Sequence, residues 1–64
     1  MKKPYQKPAF VACYEAVGGD EALTVSCFTL LLRYRPDLRR SRKHGTDSQY
    51  SAWLWSNAKR KGWF

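Results

Sequence analysis

The residues best suited to chemistry in this sequence are clustered cations. Six of the eleven residues from Arg33 to Lys43 are Lys or Arg, and five of those six are Arg. The planar guanidinium binds a phosphate through two parallel hydrogen bonds, which a Lys ammonium does not do. The run therefore indicates a polyanion-binding segment, although a solvated connector between two helices is the alternative.

The charge is also unevenly divided along the chain. The net charge is +7, and residues 1–32 contain three Lys against three acidic residues. Residues 33–64 contain nine basic residues against two acidic ones and so carry the whole excess. Such asymmetry is typical of a protein with one face given to nucleic acid, an acidic membrane or an acidic protein.

Catalysis has little support in the sequence. The five carboxylates and the single histidine, His44, are scattered among turns and helix ends rather than grouped as an acid–base pair requires. No Gly-rich phosphate loop and no Cys-x-x-Cys pair is present. We expect no enzyme, no cofactor, no metal and no small-molecule substrate.

The two cysteines, Cys13 and Cys27, are too few for the disulfide framework of a small secreted domain. Both lie in apolar stretches, where a thiol is unreactive and acts as a small buried hydrophobe. A single bridge stays open if the two segments pack antiparallel.

Sixty-four residues allow one domain, and 16% aromatic residues argue against disorder. We expect a flexible lead-in over residues 1–7 and a single helical domain over residues 8–64. The longest apolar-rich stretch, Ala22–Leu32, is too short to span a bilayer, and no targeting segment is evident. The sequence thus predicts a soluble, cytoplasmic protein that does not bind membranes.

The elements that must position these residues are predicted to be helices. Pro8 suits the start of a first helix, whose apolar positions recur with helical spacing until Gly18 and Gly19 end it. These apolar positions are Phe10, Cys13, Tyr14 and Val17.

A second helix should run from Asp20, as its N-cap or as a first-turn acid beside Glu21, to about Tyr34, because Pro36 disfavours helical angles at Arg35. It carries two apolar stripes, which predict a central helix covered from two sides. The first stripe is Leu23, Cys27, Leu30, Leu31 and Tyr34, and the second is Val25, Phe28 and Leu32. A strand over Leu23–Phe28 is the alternative, since several residues there are β-branched.

Two further helices are expected in the basic half. Pro36 and Asp37 can open a short third helix that Gly45 breaks. Thr46 and Gln49 then form the N-terminal capping box of the last helix. That helix should bury Tyr50, Trp53, Leu54 and Ala58, and place Lys59, Arg60 and Lys61 in a last turn capped by Gly62.

The last nineteen residues, Thr46–Phe64, resemble the recognition helix and following turn of winged helix-turn-helix regulators. In that family a polar cap with Ser and Gln leads into small and apolar positions, followed by basic residues, Gly and an apolar strand start. The sequence departs from the family in two ways: it stops at Phe64, where a wing hairpin would begin, and Trp53 and Trp55 make the helix unusually aromatic.

The resemblance implies a DNA-binding regulator or accessory factor whose last helix enters the major groove. The groove-facing positions would be Asp47, Ser48, Gln49, Ala52, Ser56 and Lys59. Gln49 could read adenine, against the alternative of a purely capping role, and Ser48 and Ser56 would bond bases or phosphates. The nucleic-acid-binding set is Arg33, Arg35, Arg39, Arg40, Arg42, Lys43, Ser48, Gln49, Ser56, Lys59, Arg60 and Lys61.

Trp55 decides between two classes of function. Trp53 and Trp55 lie two positions apart, so on a helix they point in nearly opposite directions. The core position is favoured for Trp55, because so short a chain needs every aromatic. If Trp55 is instead exposed, it could anchor a protein partner together with Trp63 and Phe64.

The sequence therefore predicts an all-α domain of three to four helices with a helix-turn-helix-like C-terminal half. We expect it to bind DNA, with RNA as an alternative ligand, and to need a homodimer or a partner protein for specificity. The alternative function is a protein-binding inhibitor or adaptor of the phage or plasmid type, docking on a host protein through a basic, Trp-rich face.

Overall fold

The fold is three helices packed around a small aromatic core. The structure is a computed structural model that describes residues 6–39 and 44–64. The helices are α1 (Gln6–Ala16), α2 (Glu21–Tyr34) and α3 (Asp47–Lys61), and a 3₁₀ turn (Pro36–Leu38) follows α2. No strand occurs in the described residues, so the predicted all-α class is confirmed.

Helix α1 begins earlier than the sequence indicates. It includes Gln6 and Lys7, which were expected in the flexible lead-in, and Pro8 lies in its first turn rather than at its first position. The reason is a tertiary contact: the Tyr50 hydroxyl donates a 2.6 Å hydrogen bond to the buried Gln6 side chain. Residues 1–5 lie outside the described residues.

The capping of α2 is as predicted. The Asp20 carboxylate accepts a 2.9 Å hydrogen bond from the Leu23 N–H, which satisfies one of the free donors at the helix start. The helix is continuous through Leu23–Phe28, so the alternative of a strand there is wrong. It ends at Tyr34, and pre-proline Arg35 has the non-helical angles φ −131° and ψ 68°.

The expectation that α2 is covered from two sides is only partly right. Its buried face is Thr24, Phe28 and Leu32, spaced four residues apart. Three residues of the predicted first stripe are instead solvent-exposed: Leu23 at 54%, Leu30 at 55% and Tyr34 at 82%. Helices α1 and α3 pack against this buried face and its borders, including Val25, Cys27 and Leu31, and leave Leu23, Leu30 and Tyr34 uncovered in the described residues.

The expected third helix is reduced to the 3₁₀ turn Pro36–Leu38. Arg39 is extended, with φ −86° and ψ 110°, so no α-helix starts at Pro36. Leu38 is 3% exposed and fixes this turn in the core. Arg40 to Lys43 lie outside the described residues.

Both ends of α3 follow the sequence prediction. Thr46 and Gln49 form a reciprocal capping box, with hydrogen bonds of 3.2 Å and 3.0 Å. Gly62 caps the C-terminus in the left-handed conformation, at φ 72°.

The core is centred on Phe10. Its ring meets Phe28 edge-on at 5.2 Å and lies 6.1 Å from Trp63 and 6.5 Å from Trp55. The fully buried residues of α3 that complete this core are Tyr50, Ser51, Leu54 and Ala58. Ser51 accepts a 3.0 Å hydrogen bond from Thr29 of α2, so even the polar part of the α2–α3 contact is satisfied.

Trp53 does not belong to this core. It was expected on the inward stripe of α3, but it is 39% exposed and stacks on His44 with ring centroids 4.4 Å apart. None of the described helices is long and apolar enough to cross a membrane.

Candidate nucleic-acid interface

The outer face of α3 is mainly polar, with the exposed ring of Trp53, and carries no acidic side chain. Because α3 buries one side against α1 and α2, the opposite side is left to solvent. The exposed residues on that side are Ser48, Gln49, Ala52, Trp53, Ser56, Lys59 and Arg60. The small side chains of Ser48, Ala52 and Ser56 and the cations of the last turn would allow close approach of a polyanion backbone.

Asp47 was expected among the groove-facing residues, and the structure gives it a different role. Its carboxylate accepts a 2.7 Å hydrogen bond from the Arg39 guanidinium. The Arg39 side chain is only 11% exposed, so this ion pair is partly shielded from water. The one acidic residue of α3 is thus neutralised at the edge of the face rather than displayed on it.

Arg39 ties the connection before α3 to the helix itself. Besides Asp47, its guanidinium donates to the Gly45 carbonyl and lies 5.3 Å from the centre of the Tyr50 ring. Tyr50 is 1% exposed, so this cation–π contact packs the Arg39 side chain against a core residue. Arg39 therefore holds the α3 N-terminus in place, which differs from the phosphate-binding role suggested by the basic run.

Arg35 is likewise engaged locally, whereas Arg33 is exposed at the end of α2. Arg35 donates to both Asp37 carboxylate oxygens, at 3.3 Å and 3.2 Å. This hydrogen bonding lowers the pKa of Asp37. The predicted residues Arg40, Arg42 and Lys43 lie outside the described residues, so their placement relative to α3 stays a prediction.

The last turn of α3 presents its cations to solvent. Lys59, Arg60 and Lys61 are all exposed, and Arg60 donates a 2.9 Å hydrogen bond to Asn57 on the same helix. This bond holds the guanidinium along the helix surface. Basic residues here also complement the negative end of the helix dipole, so the turn is favourable for the fold as well as for an anion.

Sequence reasoning missed a carboxylate beside this turn. A surface groove is lined by Glu21 of α2 together with Trp55, Ser56, Lys59 and Arg60 of α3. Glu21 is exposed, and it forms no ion pair within 4 Å in the described part of the chain. Only the α2–α3 packing reveals this neighbour, because Glu21 is far from Lys59 in sequence.

The three aromatic residues considered as protein anchors are not displayed together. Trp55 is 8% exposed and Trp63 is partly buried, so the favoured core position of Trp55 is confirmed. Phe64 is 38% exposed but stacks on Tyr14 with ring centroids 4.0 Å apart. Trp55, Trp63 and Phe64 therefore pack against the core and do not form a protruding patch.

The two cysteines meet inside the α1–α2 contact as free thiols. Burial raises the pKa of the Cys13 thiol to about 12, and a hydrogen bond with Cys27 adds to the shift. A thiol so reluctant to ionise is a poor nucleophile and a poor metal ligand. Across residues 6–39 and 44–64, no three His, Cys, Asp or Glu side chains are grouped to hold a metal ion.

No protein-family model matches the sequence, and no curated protein or solved structure shows significant similarity to it.

Proposed function

We propose that this protein binds double-stranded DNA through the outer face of α3, in the manner of a helix-turn-helix recognition helix. The observation that supports this most is the make-up of that face. It has small and polar side chains and the exposed Trp53 along its length, and exposed cations in its last turn, while Asp47, the only acidic residue of α3, is paired with Arg39. A helix of 15 residues is about 22 Å long and fits the major groove.

The proposed contacts fall into two groups. Ser48, Gln49 and Ser56 face the base edges or nearby phosphates, with Gln49 also held in its capping bond. The phosphate-binding cations are Arg33, Arg40, Arg42, Lys43, Lys59, Arg60 and Lys61. Arg35 and Arg39 are left out of this set because their guanidinium groups are already bonded to carboxylates.

The proposal differs from a standard helix-turn-helix in what precedes the recognition helix. The helix expected there is only the 3₁₀ turn Pro36–Leu38, so α2 is the helix that packs behind α3. We therefore propose that the basic segment between this turn and α3 supplies phosphate contacts that the first helix of the motif would otherwise make.

The first test is the salt dependence of binding to a fluorescently labelled random DNA duplex, measured by anisotropy. Each neutralised phosphate contributes about −0.9 to the slope of log affinity against log salt, so five or six contacts give roughly −5. The expected result is a slope near that value. Absence of binding at low salt would refute the proposal. Tighter binding to a matched RNA duplex would reassign the ligand.

A pair of charge-matched variants then tests the face itself. Lys59→Gln removes one charge from the last turn of α3, whereas Lys7→Gln removes one charge from α1. We expect Lys59→Gln to weaken binding several-fold and to reduce the slope by about 0.9, and Lys7→Gln to do much less. Equal losses would mean that net charge, and not the α3 face, governs binding.

Glu21 provides a test with the opposite sign. Its carboxylate shares a groove with Lys59 and Arg60, so it repels a phosphate placed there. Glu21→Gln should therefore strengthen binding a few-fold at low salt, and Glu15→Gln on α1 is the charge-matched control. Unchanged affinity in Glu21→Gln would exclude this end of α3 from the interface.

A further inference from the structure

The exposed apolar face of α2 is a surface that the proposed DNA binding leaves unused. Leu23, Cys27, Leu30 and Tyr34 follow one another at spacings of four, three and four residues, and we call them the α2 stripe. Three of the four are more than half exposed, and Cys27 is partly buried against α1. A spacing of this kind is the seam of a two-helix coiled coil, in which each side chain packs against a facing helix.

We propose that the α2 stripe binds a second copy of this chain, with the two α2 helices antiparallel. The stripe is symmetric about its centre, which falls between Phe28 and Thr29. An antiparallel two-fold pairing therefore sets Leu23 against Tyr34 of the second copy and Cys27 against its Leu30. Every apolar residue of the stripe then meets an apolar residue, as a self-complementary interface requires.

Charge favours this partner and this direction. Helix α2 contains one acidic residue, Glu21, and one basic residue, Arg33, and so has no net charge, which means that two copies of a +7 protein repel least when they meet through this helix. Arg33 lies beside the stripe. Parallel packing would place the Arg33 side chains of the two copies next to each other, where they repel. Antiparallel packing places them at opposite ends of the interface.

Helix α3 does not cover the α2 stripe. Thr29 bonds Ser51 and Val25 lines a groove with Ala52, so α3 packs on the Val25–Thr29 side of α2. At about 100° per residue, Leu30 is turned well away from that side. Dimerisation would thus bring two α3 outer faces into one particle without covering either. It does not depend on DNA binding.

The expected dimer is weak, because a stripe of four side chains on one helix is smaller than a standard interface of roughly 800 Å² per partner. Sedimentation equilibrium should show the apparent mass rising from 7.5 kDa towards about twice that value between roughly 10 µM and 1 mM protein. A mass that stays at the monomer value up to 1 mM would overturn the proposal that the α2 stripe binds a second copy of this chain.

Leu30→Lys should abolish this rise, because it places two ammonium groups in the apolar seam. Ala52→Lys, which adds the same charge to the exposed face of α3, is the matched control and should dimerise like the wild type. Far-UV circular dichroism checks that both variants fold, which the 55% exposure of Leu30 allows. Dimerisation of Leu30→Lys at the wild-type level would contradict the assignment of the interface.

Mixed disulfide trapping tests the direction. One protein carries Cys13→Ser and keeps Cys27, and the other carries Cys13→Ser, Cys27→Ala and Leu30→Cys. Under copper-catalysed air oxidation, antiparallel packing should give mainly the mixed disulfide, because like positions are offset by about 4.5 Å along the helices. Predominance of the two homodimeric disulfides in mass spectrometry would indicate parallel packing and overturn the antiparallel arrangement.

Discussion

The Cys13 thiol shows how strongly a single side chain depends on its surroundings. It is 6% exposed, and its pKa rises from an ordinary value of 9.0 to about 12. Burial is the largest cause of this pKa shift, and the hydrogen bond and charge interaction with the neighbouring Cys27 add to it. The Cys13 thiol is therefore structural: it is a small group that fills the α1–α2 contact and stays protonated.

This shift predicts a loss of stability in alkali. A folded-state pKa above the unfolded one means that the stabilisation is complete below pH 9 and is lost as the pH rises towards 12. We expect the free energy of unfolding to fall by roughly 1–2 kcal/mol by pH 10.5, beyond the fall seen in a Cys13→Ala variant. Urea titrations at several pH values from 7 to 10.5 measure the free energy of unfolding of both proteins. If it fell equally with pH in the wild type and in Cys13→Ala, the buried Cys13 thiol would not be the cause.

At the scale of elements, the turn before α3 joins the helix cap to the Arg39 ion pair through a single glycine, Gly45. Gly45 has φ +76°, and a Cβ added there would lie 2.0 Å from the Gln49 side-chain oxygen. That oxygen accepts the Thr46 N–H in the capping box, while the Gly45 carbonyl accepts from Arg39. One glycine thus supports both the helix cap and the ion pair that anchors it.

Gly45→Ala should therefore destabilise the protein more than Gly62→Ala. Gly62 has a similar φ of +72° but open space around its Cβ position, so it isolates the backbone strain of about 1–2 kcal/mol. We expect Gly45→Ala to cost about 1 kcal/mol more in urea unfolding. The double variant Gly45→Ala, Gln49→Ala provides the check: the added Cβ should cost less when the Gln49 side chain is absent.

At the scale of the whole molecule, two leucines of equal chemistry have opposite environments. Leu54 of α3 is fully buried in the core, and Leu23 of α2 is 54% exposed on the α2 stripe. The free energy of unfolding of the whole 64-residue domain should be only roughly 3–10 kcal/mol. The loss of one core side chain is therefore a large part of its stability.

We expect Leu54→Ala to lower the free energy of unfolding by about 3 kcal/mol, and Leu23→Ala by less than about 1 kcal/mol. Chemical denaturation at low micromolar protein, where the proposed dimer is dissociated, measures both values. A Leu23→Ala cost as large as that of Leu54→Ala would mean that the stripe is covered within the monomer.

Much of the secondary structure followed from the sequence, because it depends on local chemistry. Asp20, Thr46 with Gln49, and Gly62 set the ends of α2 and α3 through hydrogen bonds within four residues. Within the described residues, the helix expected from Pro36 is a single 3₁₀ turn that buries Leu38, and this burial is a tertiary contact that no local pattern specifies. The proposed interface was predictable only in part: the exposed positions of α3 follow from its period, but the engagement of Arg39 does not.

By itself, the sequence determined the helical class, the helix caps and the charge excess in the second half of the chain, since each rests on composition or on near neighbours. Only the tertiary structure decided which residues of the two apolar α2 stripes are buried, because that depends on where α1 and α3 pack. It also decided that Asp47 and Arg39 neutralise each other and that Glu21 borders Lys59. These pairs form because the chain folds so that α2, α3 and the turn between them pack together. No local sequence pattern specifies which distant residues become neighbours.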